Sequence, residues 1–245
     1  GVYQEELKRA GITPSMTDGY DCYQNALAER INGILKQEFL LYKCKNHQDL
    51  KRLIDECHKR GIAVIIDMVL NHSFNSSPLA RMYWNNSTGK PAANNPWYNE
   101  NHNFQNPAAH WGADFDHESS YTQAFVDSVN HYWMSEYKVD GFRFDFTKGF
   151  GNNVKSQSSD EWGIKYDADR IRLLKRMADR IWEKESDAYV IFEHLSDNTE
   201  EQELANYGIM LWGNLHGTYG TLGNGSAVSL TNAYYVNKGW EQSNL

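Results

Sequence analysis

Long apolar runs are missing from this 245-residue chain. The longest, such as residues 62–66, fall far short of the roughly 20 residues that a bilayer-spanning helix needs. A basic excess is missing too. Lys and Arg number 24 against 32 Asp and Glu, a net charge of −8, which argues against a nucleic-acid-coating surface and against binding to anionic membranes. Cysteine is scarce: Cys22, Cys44 and Cys57 are three, an odd number, at spacings that match no metal site. They read as thiols in part-buried positions. Nothing at the start, which opens on Gly1, resembles the basic and apolar regions of a secretion signal, so the compartment stays open. No internal repeat is present.

Aromatic residues are what the chain has in excess. They make up 13%, with 8 Trp and 15 Tyr. Sugar rings stack on such side chains, whose polar edges also bond hydroxyls, but core packing uses them equally. Hydrophobic residues at 40% and charged residues at 23% are those of a globular protein.

Helical periodicity marks four stretches. Ala26, Leu27, Ile31, Ile34, Leu35 and Phe39 share one face of residues 25–42. Leu50, Leu53, Ile54 and Cys57 share a face of the next helix, which is expected to end at Gly61. A third is expected to start near Ser119 and Ser120 and to bury Phe125, Val129 and Trp133. The fourth, over 167–183, carries Ile171, Leu174, Met177, Ala178 and Ile181 on one side. Short apolar runs at 63–69, 141–146, 189–192 and 209–212 read as buried parallel strands. Alternation of strand and helix predicts a parallel α/β sheet or barrel. Residues 73–113, rich in Asn, Pro, Trp and His, form a long excursion of the kind that carries function. The Gly-rich stretch 213–225 is irregular.

Three of the four runs end in polar residues: Asp67, Asn71 and His72; Arg143 and Asp145; Glu193 and His194. Carboxyl ends of parallel strands are where sites assemble. Arg143 and Asp145, two apart, leave one face of a strand, and a guanidinium there favours an ionised carboxylate. Glu193 follows four apolar or aromatic residues, and apolar surroundings favour its protonated form. One ionised and one protonated carboxyl are what retaining glycoside hydrolysis uses. An Arg–Asp ion pair beside an unrelated Glu accounts for these residues equally well.

The segments Asp67-Met68-Val69-Leu70-Asn71-His72, Gly141-Phe142-Arg143-Phe144-Asp145-Phe146-Thr147-Lys148 and Val190-Ile191-Phe192-Glu193-His194 resemble, in order and spacing, three short motifs of the α-amylase family (glycoside hydrolase family 13). The resemblance implies an α/β fold, a partial (β/α)₈ TIM barrel covering about strands 3–6. Residues 47–245 would form it, with 73–115 inserted after strand 3 as a loop or subdomain. It implies Asp145 as the nucleophile, Glu193 as the acid and then the base, and Arg143 as the group that orients Asp145. It further implies that Asp67, His72, Lys148 and His194 serve the sugar subsites, with starch-like α-1,4-glucans as substrate. Asn71 matches a position that helps hold a structural Ca²⁺ in many members; no organic cofactor is implied. Trp84, Trp97 and Trp111 are candidate sugar platforms.

Two departures accompany these matches. Gly149 stands where many members have His. The family's fourth motif, a His-Asp pair whose Asp stabilises the transition state, has no counterpart after Glu193, so the 245 residues alone are expected to turn over glucan weakly or not at all. Residues 1–46, through Gly11-Ile12-Thr13-Pro14-Ser15-Met16-Thr17 and the stretch 23–36, resemble instead the C-terminal part of the integrase-like core of insertion-sequence transposases, a helical segment in which Glu29 matches the Glu of an Asp-Asp-Glu metal triad. One carboxylate does not build a two-metal site. A DNA-recombination protein and a non-catalytic glucan-binding module are the other classes open to this sequence. Oligomeric state stays open.

Overall fold

The structure is a computed structural model that describes residues 46–241. The helix expected over 25–42, with Glu29, Cys22 and Cys44, lies outside the described residues, as does most of the transposase-like segment. The chain divides into two compact units, whose described parts are 46–64 with 215–234 and 65–214 with 235–241.

In the first unit, helix α1 (His47–His58) begins where the Asn46 side chain accepts from the Gln48 and Asp49 amides. That arrangement satisfies two of the four donors a helix start leaves open. Leu53, Ile54 and Cys57 form its buried stripe. The helix ends three residues earlier than Gly61, which sits in the following turn at φ +69° with its amide bonded to the His58 carbonyl.

The second unit carries the parallel sheet. Strand β1 (Ile65–Met68) leads into the excursion, after which the chain returns to the sheet. Within the excursion, β2 (His72–Ser73) pairs antiparallel with β5 (Ala113–Asp114), closing its neck. Between them lie the short helix α2 (Pro78–Met82) and the ribbon of β3 (Trp84–Asn85) and β4 (Lys90–Pro91). A small apolar cluster of Ala80, Tyr98, Ala113 and Phe115 holds the excursion together, with Trp84 and Trp97 packed against it. Helix α3 (Ser120–Tyr132) starts at the Ser119 cap, as its serines predict. Its buried line is Thr122, Val126 and Asn130 rather than Phe125, Val129 and Trp133. The aromatic positions sit one residue round the helix, and Phe125 turns toward the excursion's cluster.

The sheet order is β1–β6–β7–β8, with β6 at Gly141–Phe144, β7 at Tyr189–Phe192 and β8 at Met210–Leu211. All three pairings are parallel, crossed over by α3, by α4 (Ala168–Lys184) and by α5 (Asn198–Tyr207). This is the βαβ arrangement of a barrel wall. Phe142, Phe144, Phe192 and Leu211 are buried beneath the helices. Gly141 is a close-approach position, because a Cβ there would fall on the Tyr189 backbone. Helix α4 buries Ile171, Leu174, Met177, Ala178 and Ile181, the stripe its periodicity predicts, and Asp167 caps it. The stretch 213–225, irregular by composition, contains helix α6 (His216–Gly223), which buries none of its residues. Among the described residues, no helix is long and apolar enough to cross a membrane.

Candidate active site

Register builds the site. Met68 lies opposite Phe144, and Phe144 opposite Phe192. Asp145 and Glu193 are therefore the next residues of adjacent strands, at one level. The ladder runs on through both: the Asp145 amide donates to the Met68 carbonyl at 2.9 Å and the Glu193 amide to the Phe144 carbonyl at 3.0 Å. Alternation along the strands then puts Asp67, Arg143, Asp145 and Glu193 on one face.

Arg143 joins the three carboxylates. Its Nη1 donates to Asp67 Oδ1 at 2.7 Å and to Asp145 Oδ1 at 2.8 Å, and its Nη2 to Glu193 Oε2 at 2.5 Å. The guanidinium also lies 4.4 Å from the ring centre of Trp212, a cation–π contact on its face. Glu193 has its pKa raised, first by burial and then by its hydrogen bond with Asp145, while the charge of Arg143 opposes the rise.

The loops after Asp145 and Glu193 each hold one strained residue. Phe146 and Leu195 occupy the left-handed region at φ +44° and +54°, which costs a non-glycine residue on the order of 1–3 kcal/mol unless its surroundings hold it. The turn at Phe146 directs its ring into the cleft, edge-on to Trp111 at 4.8 Å, and its amide donates to Glu193 Oε2 at 3.4 Å.

The cleft measures about 670 Å³ and is lined by Val69, His72, Ser73, Phe74, Trp111, Asp145, Phe146 and Glu193. Trp111 lies 5.6 Å from His72, ring to ring. His72 is held below its ordinary pKa by burial, against the pull of the Asp145 charge.

Asp145, Glu193, Arg143, Asp67 and His72 are thus brought together. His194 is not. Successive strand residues point to opposite faces, and the His194 side chain runs away from the cleft into the layer under the helices, fully buried between Thr147 and Glu200. Lys148 is also absent from the cleft lining. It lies buried in the 3₁₀ turn Thr147–Phe150, its pKa lowered by burial and by the charge of Arg170. Of the three candidate platforms only Trp111 reaches the cleft. Trp97 packs in the excursion's cluster, as does Trp84, over which Arg81 lies at 4.8 Å. Sequence reasoning passed over Phe146, Thr147, Trp212, Arg170 and Glu200; Phe146 and Thr147 stand inside the quoted motif, whereas the other three meet the site only through folding.

Asn71 is fully buried beside the cleft, and its Oδ1 has no hydrogen-bond partner. That oxygen lies where a Cβ on Gly149 would fall, which is a steric reason for glycine there. Buried oxygens on Asn103 and Asp114 are also without hydrogen-bond partners, Asp114 Oδ1 lying 4.0 Å from His102 Nε2. Among the described residues, no group of three or more His, Cys, Asp or Glu side chains is placed to hold a metal.

A family model described as the α-amylase catalytic domain matches residues 45–209, and one described as an integrase core domain matches residues 10–60. Isoamylase 1 of Arabidopsis thaliana, a chloroplastic protein, is 30% identical over 119 residues, which is 46% of this chain and 14% of the relative. The 1,4-α-glucan branching enzyme GlgB of Geobacillus stearothermophilus is 35% identical over 98 residues, 40% of this chain and 14% of that protein. The chain thus spans about a seventh of the length of these curated relatives. Among solved structures, Eubacterium rectale Amy13B superposes with a TM-score of 0.59 at 22% identity, over 81% of this chain and 43% of that one. Trehalose-6-phosphate hydrolase of Bacillus licheniformis does so at 0.52 and 18%, over 70% and 36%. At these identities the structural likeness speaks to fold alone.

Removing the charge that gathers these carboxylates is expected to be costly. Arg143→Met should lose about 2–4 kcal/mol of stability near neutral pH, with the exposed Asp67 contributing least. The loss should shrink as pH falls through the raised pKa of Glu193, whose charge Arg143 answers. Urea melts at pH 7 and pH 4 measure this; an equal loss at both would show that charge is not the cause.

Proposed function

The chain belongs to the α-amylase family, and on that premise we propose that it carries the nucleophile and acid/base of a retaining α-glucan hydrolase or transglycosylase. The observation that carries the reading is one guanidinium bonded to both carboxylates at the floor of an aromatic cleft. Glu193 is hydrogen-bonded to Asp145 as well as to the shared guanidinium, and this closeness supports a retaining pair, which sits about 5 Å apart, over an inverting pair, which leaves roughly 6.5–9.5 Å for a water. Relatives named for 1,4-α-glucan branching support a glucan as the substrate class.

In this reading, Asp145 attacks the anomeric carbon while the Glu193 proton passes to the departing glycosidic oxygen. An ester to Asp145 forms as that bond breaks. Glu193, now a carboxylate, takes a proton from water, or from a sugar hydroxyl in transfer, and the new oxygen displaces Asp145. Arg143 keeps both groups in reach throughout. His72 and Trp111 would grip the sugar, one by a hydrogen bond and the other by its ring face. A DNA-recombination role has only the match at 10–60 behind it, and the net charge of −8 weighs against it.

Glu193→Gln with α-maltosyl fluoride tests the chemistry, because fluoride leaves without an acid while the ester then lacks its base. The expected outcome is one maltosyl unit added to the intact mass and mapped to Asp145. Binding of maltoheptaose with no adduct would point instead to a glucan-binding module, and an adduct elsewhere would contradict the assignment.

We also propose a structural Ca²⁺ held by Asn71 and Asp114. Each has a buried oxygen with no hydrogen-bond partner, Asp114 Oδ1 lying 4.0 Å from His102 Nε2, and such oxygens fit a hard, oxygen-seeking cation, which accepts amide and carboxylate ligands alike. Asp114 has its pKa raised to about 7, chiefly by burial, a setting in which a nearby cation would favour the charged form. Ca²⁺ is expected to raise the Tm of the native chain and not that of Asp114→Asn. An unchanged Tm in the native chain would remove the proposal.

A further inference from the structure

Behind the cleft lies a second set of polar groups that the proposed chemistry does not use. Arg170, His194, Glu200 and Thr147 are all fully buried. Arg170 donates from Nε to Glu200 Oε1 and from Nη2 to Glu200 Oε2, each at 2.7 Å. Its remaining protons go to the Lys148 and Gly163 carbonyls from Nη1 and to the Lys165 carbonyl from Nη2. Glu200 Oε1 also faces His194 Nε2 at 2.8 Å, and His194 Nδ1 faces Thr147 Oγ1 at 2.8 Å. The Glu193 carbonyl accepts from the Thr147 amide at 3.1 Å.

These partners favour one arrangement of protons along the row from Arg170 to Thr147. Burial works against the charge of Glu200, but its bonds to His194 and Arg170 outweigh that and hold its pKa below the ordinary carboxyl range. An ionised carboxylate only accepts. His194 must therefore carry its proton on Nε2. Burial keeps the ring from taking a second, lowering its pKa to about 4. Nδ1 is then a lone pair, and the single hydroxyl proton of Thr147 must go to it. The Thr147 hydroxyl also lies 3.3 Å from the Glu193 carbonyl, but with its proton committed to His194 it has none to give there. That carbonyl is held by the Thr147 amide.

Thr147 stands two residues after Asp145, and His194 stands one after Glu193. We propose that the Thr147–His194 hydrogen bond, its direction fixed by the Arg170–Glu200 pair, staples the loop of Asp145 to the loop of Glu193 and makes His194 and Thr147 positioning residues for the two carboxyls. This deepens the retaining-pair reading and rests on it for its functional meaning. The staple itself makes a physical statement that needs no turnover to check. The left-handed residues Phe146 and Leu195 adjoin its two ends, so the bond also opposes relaxation of strained backbone.

The test is NMR on the 245-residue chain, which keeps it separate from the trapping experiment: failure there would leave the staple standing, and failure here would leave the carboxylate roles standing. In the native chain, ¹⁵N shifts of His194 are expected to show a neutral ring protonated at Nε2 from pH 5 to pH 8. A ring protonated at Nδ1, or an imidazolium at pH 6, would overturn the proposal whether or not any variant folds. The Glu193 carboxyl is then titrated by ¹³C in Thr147→Val and Thr147→Ser, with the resonance assigned by its loss in Glu193→Gln. Loosened loops let water reach Glu193 and part it from Asp145, so its pKa is expected to fall by about half a pH unit or more in Thr147→Val and to return in Thr147→Ser. An unmoved Glu193 pKa in Thr147→Val, with only the Tm lowered, would mean that the bond holds the fold and does not position the pair.

Discussion

Everything at this site depends on one guanidinium. Arg143 has a side chain only 14% exposed, yet it bonds Asp67, Asp145 and Glu193 at once. Charge withdrawn from water to this extent persists only with partners that repay the desolvation, and Arg143 draws three from three different positions of the sheet. The same contacts settle a competition at Glu193. Arg143 favours the carboxylate, while burial and Asp145 favour the protonated acid, and the net displacement is upward. Beside a cation, Glu193 still holds its proton more tightly than an ordinary carboxyl, the direction suited to a group that first gives a proton and then recovers one.

Arg143 can reach these partners because the sheet is parallel and in register. Adjacent strands bring Asp67 beside Arg143, and Asp145 level with Glu193, before any loop contributes. Loops then add what strands do not supply. The excursion brings Trp111 over His72, and the left-handed turn at Phe146 sends a ring into the cleft. Beneath them, the Arg170–Glu200 pair is fully buried yet saturated with partners, the condition under which a buried ion pair is least costly.

Much of this is legible in the sequence. Apolar runs marked the four strands because parallel strands covered by helices are rich in apolar residues, with Asp67 and Arg143 as the polar exceptions that build the site. Asp145 stood out as a carboxyl inside such a run, two residues after Arg143, and Glu193 as the first carboxyl after one. Grouping His194 with Glu193 failed on alternation: neighbours on a strand cannot face the same way. Lys148 carried no such warning, since its burial follows from the 3₁₀ turn after Phe146. The α3 stripe was misplaced because its aromatic residues serve the excursion instead of the helix's own interface. Arg170 and Glu200 were hidden for a different reason. Thirty residues apart on two helices, they read as ordinary charged residues of a first helical turn, and only packing shows that they meet.

The central claim is that Arg143, Asp145 and Glu193 form one reacting centre for a sugar. A crystal structure of Glu193→Gln soaked with a maltooligosaccharide tests it most directly. The account predicts a glucose ring between His72 and Trp111, with its anomeric carbon against an Asp145 carboxylate oxygen and its glycosidic oxygen against residue 193. Sugar bound only on Trp84 or Trp97, or with its anomeric carbon turned away from Asp145, would contradict it.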